Sequence, residues 1–173
     1  MKYFISNAFT HGIGEYFEEE TWKKLESIFS TGGLYSKNKR DELSIKHMVG
    51  RVMNHHEASD DVVSLLDLSD SIVKKRIEDG RAKYFLPYNE NVITLIISPE
   101  IEKQESERFF SCELHVKDEV PLSYFNGIIV PEDKECQLRV FDTLEKFGVN
   151  LPVFNFDGEK LDKNKISETV REL

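Results

Sequence analysis

The sequence predicts an α+β fold: a single domain with a mixed or antiparallel central sheet and flanking helices. Segments with helical spacing and segments with strand alternation mix along the chain, without the regular βαβ order of a parallel sheet. Residues 92–97 are apolar almost throughout, which indicates a central strand that is buried on both faces. At 173 residues, the chain is long enough to bury one substantial core.

The first half of the chain is expected to carry short strands and amphipathic helices. Glycines separate them, with a turn predicted at Gly12 and Gly14 and a helix stop at Gly32. The charged residues 37–40 are interpreted as a solvated loop. The predicted elements are a strand at 2–10, a helix at 18–29, an extended segment at 34–36, a helix at 44–53, a strand at 62–68 and a helix at 70–79.

The second half is expected to be richer in strands. The predicted elements are strands at 92–97, 108–116, 125–131 and 153–156, and a helix at 133–147 that Gly148 stops. We predict one domain over residues 1–158. The polar tail over residues 159–173 is expected to be partly helical.

Composition restricts the classes of partner. The net charge of −9 and the pI near 5.1 disfavour a nucleic-acid backbone as the main partner, because phosphate binding requires concentrated positive charge. No apolar run reaches 18 residues, so no membrane span is expected. Residues 1–7 are too polar for a signal peptide, and Cys112 and Cys136 lie in apolar patterns typical of reduced thiols. We therefore expect a cytoplasmic protein.

Glu113 is the first candidate for chemistry. Strand alternation over residues 108–116 places Leu114 and Val116 on one face and Glu113 and His115 on the other. One interpretation is a solvated strand face. The other is a catalytic carboxylate, which beside a ribose would hold a hydroxyl and stabilise positive charge at the anomeric carbon. The nicotinamide bond of NAD is such a glycosidic bond, and it has a good leaving group.

His11 is the second candidate. It follows a predicted strand and precedes two glycines, which allow a ligand to approach the backbone closely. A ring N–H of His11 would then be offered to a hydroxyl, and the Gly12 backbone to an amide group. The alternative interpretation is a histidine that only caps a turn.

Short motifs in the same order as these residues resemble the ADP-ribosyltransferase superfamily. They are Phe9-Thr10-His11-Gly12, Gly32-Gly33-Leu34-Tyr35-Ser36, residues 63–69, and Cys112-Glu113-Leu114-His115-Val116 with residues 120–130 after it. The branch that they resemble is the diphtheria-toxin-like and poly-ADP-ribose-polymerase-like branch, whose members use a His, a Tyr and a Glu on separate strands. The resemblance extends over about residues 8–131.

The resemblance implies roles for three residues and leaves a fourth role open. His11 would bind the adenosine-side ribose of NAD, Gly12 would pair with the nicotinamide carboxamide, and Glu113 would be the catalytic carboxylate. The aromatic residue that stacks on nicotinamide does not map cleanly. The candidates are Tyr35, Tyr84 and Tyr88, with Ser64 standing in part where the family has an aromatic residue, while Tyr84 and Tyr88 also fit half-buried strand positions.

Other kinds of site find less support. His55 and His56 are adjacent and lack further ligands at a recognised spacing, so no metal site is expected. Neither Ser64 nor Ser69 lies in the Gly-x-Ser-x-Gly motif of a serine nucleophile. Gly12-Ile13-Gly14 lacks the third glycine of a dinucleotide-binding loop.

The function expected from the resemblance is NAD-dependent mono-ADP-ribosyl transfer to a protein or small-molecule acceptor. The alternatives are an NAD glycohydrolase, in which water attacks, and a non-catalytic nucleotide- or partner-binding module, such as an acidic decoy or inhibitor. RNA 2′-phosphotransfer would need an Arg and His cluster that the sequence lacks. A toxin, an effector and a housekeeping enzyme all fit these observations.

Overall fold

The computed structural model describes residues 8–45, 59–67, 90–109 and 112–171. Its main feature is a seven-stranded sheet in the order β5-β6-β3-β1-β4-β8-β9, beside a two-stranded sheet of β2 and β7. The described strands are β1 Phe9–Glu15, β2 Gly33–Tyr35, β3 Val62–Asp67, β4 Val92–Ile97, β5 Ser106–Phe109, β6 Glu113–Lys117, β7 Glu119–Pro121, β8 Phe125–Ile129 and β9 Val153–Phe154. The large sheet is mixed, because β8 and β9 are parallel and the other neighbours antiparallel. The predicted α+β class is confirmed.

β4 is the strand that the sequence predicted as central and buried. All six of its residues are buried, and it pairs with β1 on one side and β8 on the other. A strand with two neighbours and two covered faces has no position for a charged side chain, which explains the continuous apolar run.

The described part of the chain forms the α-helices α1 Glu19–Thr31, α2 Lys37–Glu42, α3 Lys134–Phe147 and α4 Lys163–Arg171. The helices predicted at 18–29 and 133–147 are confirmed as α1 and α3. Gly32 ends α1 in the left-handed conformation (φ 89°), with its N–H bonded to the Ile28 carbonyl at 3.0 Å. Asp133 caps the start of α3 by accepting the Cys136 N–H at 2.7 Å. No helix in these described ranges is long and apolar enough to cross a membrane.

The structure corrects the prediction of a loop at residues 37–40. These residues belong to α2, whose first turn is capped by the Ser36 hydroxyl, which accepts the Lys39 N–H at 3.1 Å. No residue of α2 is buried, so the helix lacks the apolar face that would have revealed it in the sequence.

Two strand predictions are also wrong in detail. Gly12 and Gly14 do not form a turn, since β1 continues through them to Glu15 with a bulge between them. Residues 108–116 do not form one strand, because β5 and β6 pair as an antiparallel hairpin in which Phe109 lies opposite Glu113. Within β6 the predicted alternation holds: Leu114 and Val116 belong to the main core.

The main core lies between one face of the large sheet and the helices α1 and α3. It contains Trp22, Leu25 and Ile28 of α1 and Val140 and Leu144 of α3, all buried. A smaller cluster around Ile96 and Ile129 lies on the other face. α4 adds the buried Ile166 and salt bridges from Lys163 to Asp142 and Glu145 of α3. The predicted helix at 70–79, most of that at 44–53 and residues 2–7 lie outside the described residues.

Candidate active site

The large sheet separates between β1 and β3. These strands are paired only at Phe9–Asp67 and Thr10–Leu66. Beyond those pairs, β1 remains with β4 as far as Glu15, and β3 remains with β6 as far as Val62. Within the described ranges, no strand therefore pairs with the facing edges of residues 11–15 and 62–65. We call this gap the split.

His11 reaches across the split. Its Nδ1 lies 3.2 Å from the Ser64 carbonyl oxygen. A carbonyl only accepts hydrogen bonds, so Nδ1 carries the proton and Nε2 is left as an acceptor in the neutral ring. Burial, and after it the positive charge of Lys24, lowers the pKa of His11 to about 3. His11 is thus neutral near pH 7, and it offers a ligand an acceptor instead of the N–H that the sequence suggested.

Glu113 is buried on β6, with 5% of its surface exposed. The interpretation of Glu113 as a member of a solvated strand face is therefore wrong. Its Oε1 accepts a hydrogen bond from the Ser64 hydroxyl. A carboxylate can remain charged in such a place only when hydrogen-bond donors replace water, and the Ser64 hydroxyl is one of these donors.

His115 lies beside Glu113 on the same face of β6. Its Nε2 is 3.6 Å from the Glu113 Oε1, and its ring stacks on Phe109 with a centroid distance of 5.0 Å and an interplanar angle of 16°. In the part of the chain that the structure describes, this buried Nε2 has no hydrogen-bond partner. Strand alternation placed His115 on the face of Glu113, but it gave no sign that the two side chains approach each other.

Ser64 connects the two predicted site residues. Its backbone carbonyl accepts from His11, and its side chain donates to Glu113. The strand register aligns His11 with Leu95, on the core face, whereas Glu113 lies opposite Leu66. The imidazole and the carboxylate therefore approach Ser64 from different sides. A ligand that contacts both of them has to pass through the split.

The remaining predicted site residues have different positions. Gly12 lies in β1 at the split, opposite Thr94. Tyr35 lies in β2, where its hydroxyl donates to the Thr31 carbonyl at 2.6 Å, and no contact among the described residues joins it to Ser64 or Glu113. Tyr84 and Tyr88 lie outside the described residues, so their proposed stacking role stays a prediction.

Residues of the metal-binding types do not cluster in the described ranges. No group of three or more His, Cys, Asp or Glu side chains there is arranged to hold an ion. His55 and His56 lie outside those ranges.

The fold is similar to that of DarT from Thermus sp. 2.9, which has the ADP-ribosyltransferase fold. The structure of DarT with NAD+ matches with a TM-score of 0.53 and 14% sequence identity, over 92% of this chain and 96% of that one. The structure of DarT with carba-NAD+ gives a TM-score of 0.49 and 12% identity, over 92% and 97% of the two chains. No protein-family model matches the chain. No curated protein matches it significantly. The match with a TM-score of 0.53 confirms the ADP-ribosyltransferase-like fold that was expected from the sequence.

Proposed function

We propose that this protein is an NAD-dependent ADP-ribosyltransferase whose active site lies at the split. The observation that carries the proposal is that Ser64 bridges His11 and the buried carboxylate of Glu113. The fold supports it, since the similar protein DarT has been solved with NAD+. Fold alone does not determine function, and the chemistry of these side chains adds the support that the fold does not give.

Glu113 is the residue that we assign to catalysis. The bond that breaks joins C1′ of ribose to the pyridinium nitrogen, and nicotinamide leaves as a neutral molecule with the bonding electron pair. The positive charge left on the ribose is stabilised by a nearby carboxylate, more strongly in a buried site than in water. The hydrogen bond from Ser64 fixes the orientation of this carboxylate. We therefore assign Ser64 to positioning Glu113 and not to stacking on nicotinamide.

His11 and Gly12 are assigned to binding the dinucleotide. The unprotonated Nε2 of His11 would accept a hydrogen bond from a hydroxyl of the adenosine-side ribose. Gly12 would meet the nicotinamide carboxamide through its backbone, because no strand among the described residues pairs with Gly12 on the side of the split. Tyr84 and Tyr88 stay candidates for the stacking residue. Tyr35 is a weaker one, because its hydroxyl is held at the end of α1.

The acceptor is proposed to be a protein or a small molecule. The net charge of −9 favours such an acceptor over a polyanion. If no acceptor is present, water attacks the same cation, and the products are ADP-ribose and nicotinamide. Transfer of label from adenylate-labelled NAD to proteins, to single-stranded DNA or to neither separates these outcomes. Single-stranded DNA is the polyanion in this panel, and it tests the argument from net charge.

Nicotinamide release from NAD tests the catalytic assignment. The Glu113→Gln variant keeps the shape of the side chain and removes its charge. Loss of one such electrostatic contact typically costs about 10²–10³-fold in rate. We expect that loss in Glu113→Gln and an unchanged rate in Glu107→Gln, since Glu107 is an exposed residue of the neighbouring strand.

Circular dichroism and NAD titration of both variants complete the test. A folded Glu113→Gln protein that binds NAD but releases nicotinamide slowly supports the proposal. Equal release by the wild type and Glu113→Gln would contradict it. NAD binding by the wild type without any release would instead identify a non-catalytic nucleotide-binding module.

A further inference from the structure

Lys24 is a buried cation on the inner side of α1. It lies among the buried residues of α1, and only 7% of the Lys24 surface is exposed. Across residues 8–45, 59–67, 90–109 and 112–171, no carboxylate or other hydrogen-bonding group pairs with its ammonium. Lysine is almost never buried without a partner, because its charge loses the stabilisation of water. A cation in this position would be stabilised by an anion bound beside it.

The packing of α1 places Lys24 near the His11 end of the split. The turn after β1 reverses the chain, so α1 runs back along β1, and Thr21 packs on Gly14. Lys24 follows Thr21 by one helical turn on the same side, which carries it from Gly14 towards Gly12 and His11. The charge of Lys24 acts on His11 strongly enough to be the second cause, after burial, of its lowered pKa.

Arg40 of α2 adds a second positive charge to this region. The charge of Arg40 contributes to the lowered pKa of His11. Burial and the charge of Arg40 together lower the pKa of Lys24 to about 8. Lys24 and Arg40 therefore repel each other beside a neutral imidazole. A ligand with two negative charges would relieve both the repulsion and the loss of solvation.

We propose that Lys24, together with Arg40, forms the subsite for the diphosphate of the dinucleotide. This inference rests on the proposed function, in which His11 binds the adenosine-side ribose. The diphosphate is attached to the 5′ carbon of that same ribose, so it has to lie next to His11. Lys24 is then a binding residue that contributes to affinity for any ligand with the diphosphate and not to affinity for nucleosides.

Calorimetric titration with ADP-ribose and with adenosine tests the subsite. Lys24→Met removes the charge and keeps the length of the side chain. We expect its affinity for ADP-ribose to fall at least tenfold, while adenosine binds as it does to the wild type. Lys23→Met is the matched control, because Lys23 is the preceding residue but exposed and paired with Glu20 at 3.3 Å. Unchanged ADP-ribose affinity in Lys24→Met would overturn the proposal.

Stability without ligand separates a binding role from a structural one. If Lys24 serves a ligand, Lys24→Met unfolds at the same urea concentration as the wild type or at a higher one, since an unpaired buried charge has been removed. A marked loss of stability would show instead that the ammonium has a structural partner. Lys24→Gln provides a polar second variant for the ADP-ribose titration if Lys24→Met does not fold.

Inorganic diphosphate distinguishes failure of the subsite from failure of the proposed function. We expect millimolar diphosphate to raise the Tm of the wild type and of Lys23→Met, but not that of Lys24→Met. If this result appears although the wild type does not cleave NAD, the anion site at Lys24 is supported and the proposed enzymatic function is contradicted. If diphosphate shifts all three proteins equally, Lys24 does not form the site.

Discussion

The neutral state of His11 makes the stability of the folded protein depend on pH. The pKa of His11 falls from 6.5 to about 3 because burial and the charge of Lys24 disfavour the imidazolium. The unfolded chain therefore binds a proton at higher pH than the folded protein does. The contribution of His11 to the free energy of unfolding is fully present above pH 6.5 and is lost progressively as the pH falls towards 3.

The magnitude follows from linkage. Each pH unit between the two pKa values is worth about 1.4 kcal/mol, so lowering the pH from 6.5 to 4 removes at most roughly 3.5 kcal/mol. His11 is half-buried, and partial access to solvent reduces this to roughly 2 kcal/mol. Urea unfolding of the wild type and His11→Gln at pH 7, 6, 5 and 4 measures the effect. Glutamine can still donate to Ser64 but does not titrate.

The difference between the two proteins is the informative quantity, because other carboxylates and histidines titrate in both. We expect the free energy of unfolding of the wild type to fall by roughly 2 kcal/mol more than that of His11→Gln over this range. Parallel pH profiles would show that His11 is protonated as readily in the folded chain as in the unfolded one. The conclusion that burial and Lys24 lower the pKa of His11 would then be wrong.

Two further predictions concern the hydrogen bond to Glu113 and the bulge in β1. Ser64→Ala should lower kcat for nicotinamide release by roughly 10–100-fold, because it removes a hydrogen bond to a charged group. Ser64→Thr keeps the hydroxyl and should retain most of the rate. Equal rates in the wild type and both variants would contradict the positioning role. Gly14→Ala should lower the free energy of unfolding in urea by roughly 1–3 kcal/mol, because its Cβ would lie 2.5 Å from the Thr21 Oγ1 at a φ of 151°. Thr21→Ala in the same chain should recover part of this loss. If it recovers none, the clash with Thr21 is not the cause of the destabilisation.

The sequence predicted the elements whose pattern had a single physical explanation. β4 was evident because a run of apolar residues bounded by a proline fits a strand with both faces covered. α3 was evident from its inward stripe and its Gly148 stop. α2 was missed because it has no buried face; the Ser36 cap and a hydrogen bond from the Asn38 N–H to the Asp60 carbonyl hold it in place instead.

The hairpin of β5 and β6 was missed for a different reason. Alternation continues in phase from Arg108 to Val116, so a single strand and two paired strands give the same pattern. The face of Glu113 was nevertheless predicted correctly, because it depends only on the parity of positions within β6. Its burial could not be predicted, since a charged residue on the non-core face of a strand is usually solvated.

The contacts by which Ser64 connects His11 and Glu113 could not be predicted from the sequence. His11, Ser64 and Glu113 are distant in the chain, and they meet only because β3 lies between β1 and β6 in the sheet. The motif resemblance ordered these residues along the chain but left Ser64 as a substitute for an aromatic side chain. Lys24 was missed as well, because a lysine among the apolar positions of α1 looks like any residue at the edge of an amphipathic stripe.

The two glycines of β1 illustrate how fold and function share a short segment. Glycine weakens a strand unless a bulge or a close approach requires it. Gly14 is required by the fold, since Thr21 of α1 packs where its side chain would be. Gly12 lies before the bulge, at the split, where β3 no longer pairs with β1. The segment whose bulge is built around Gly14 therefore also borders the split, where we propose that the dinucleotide binds.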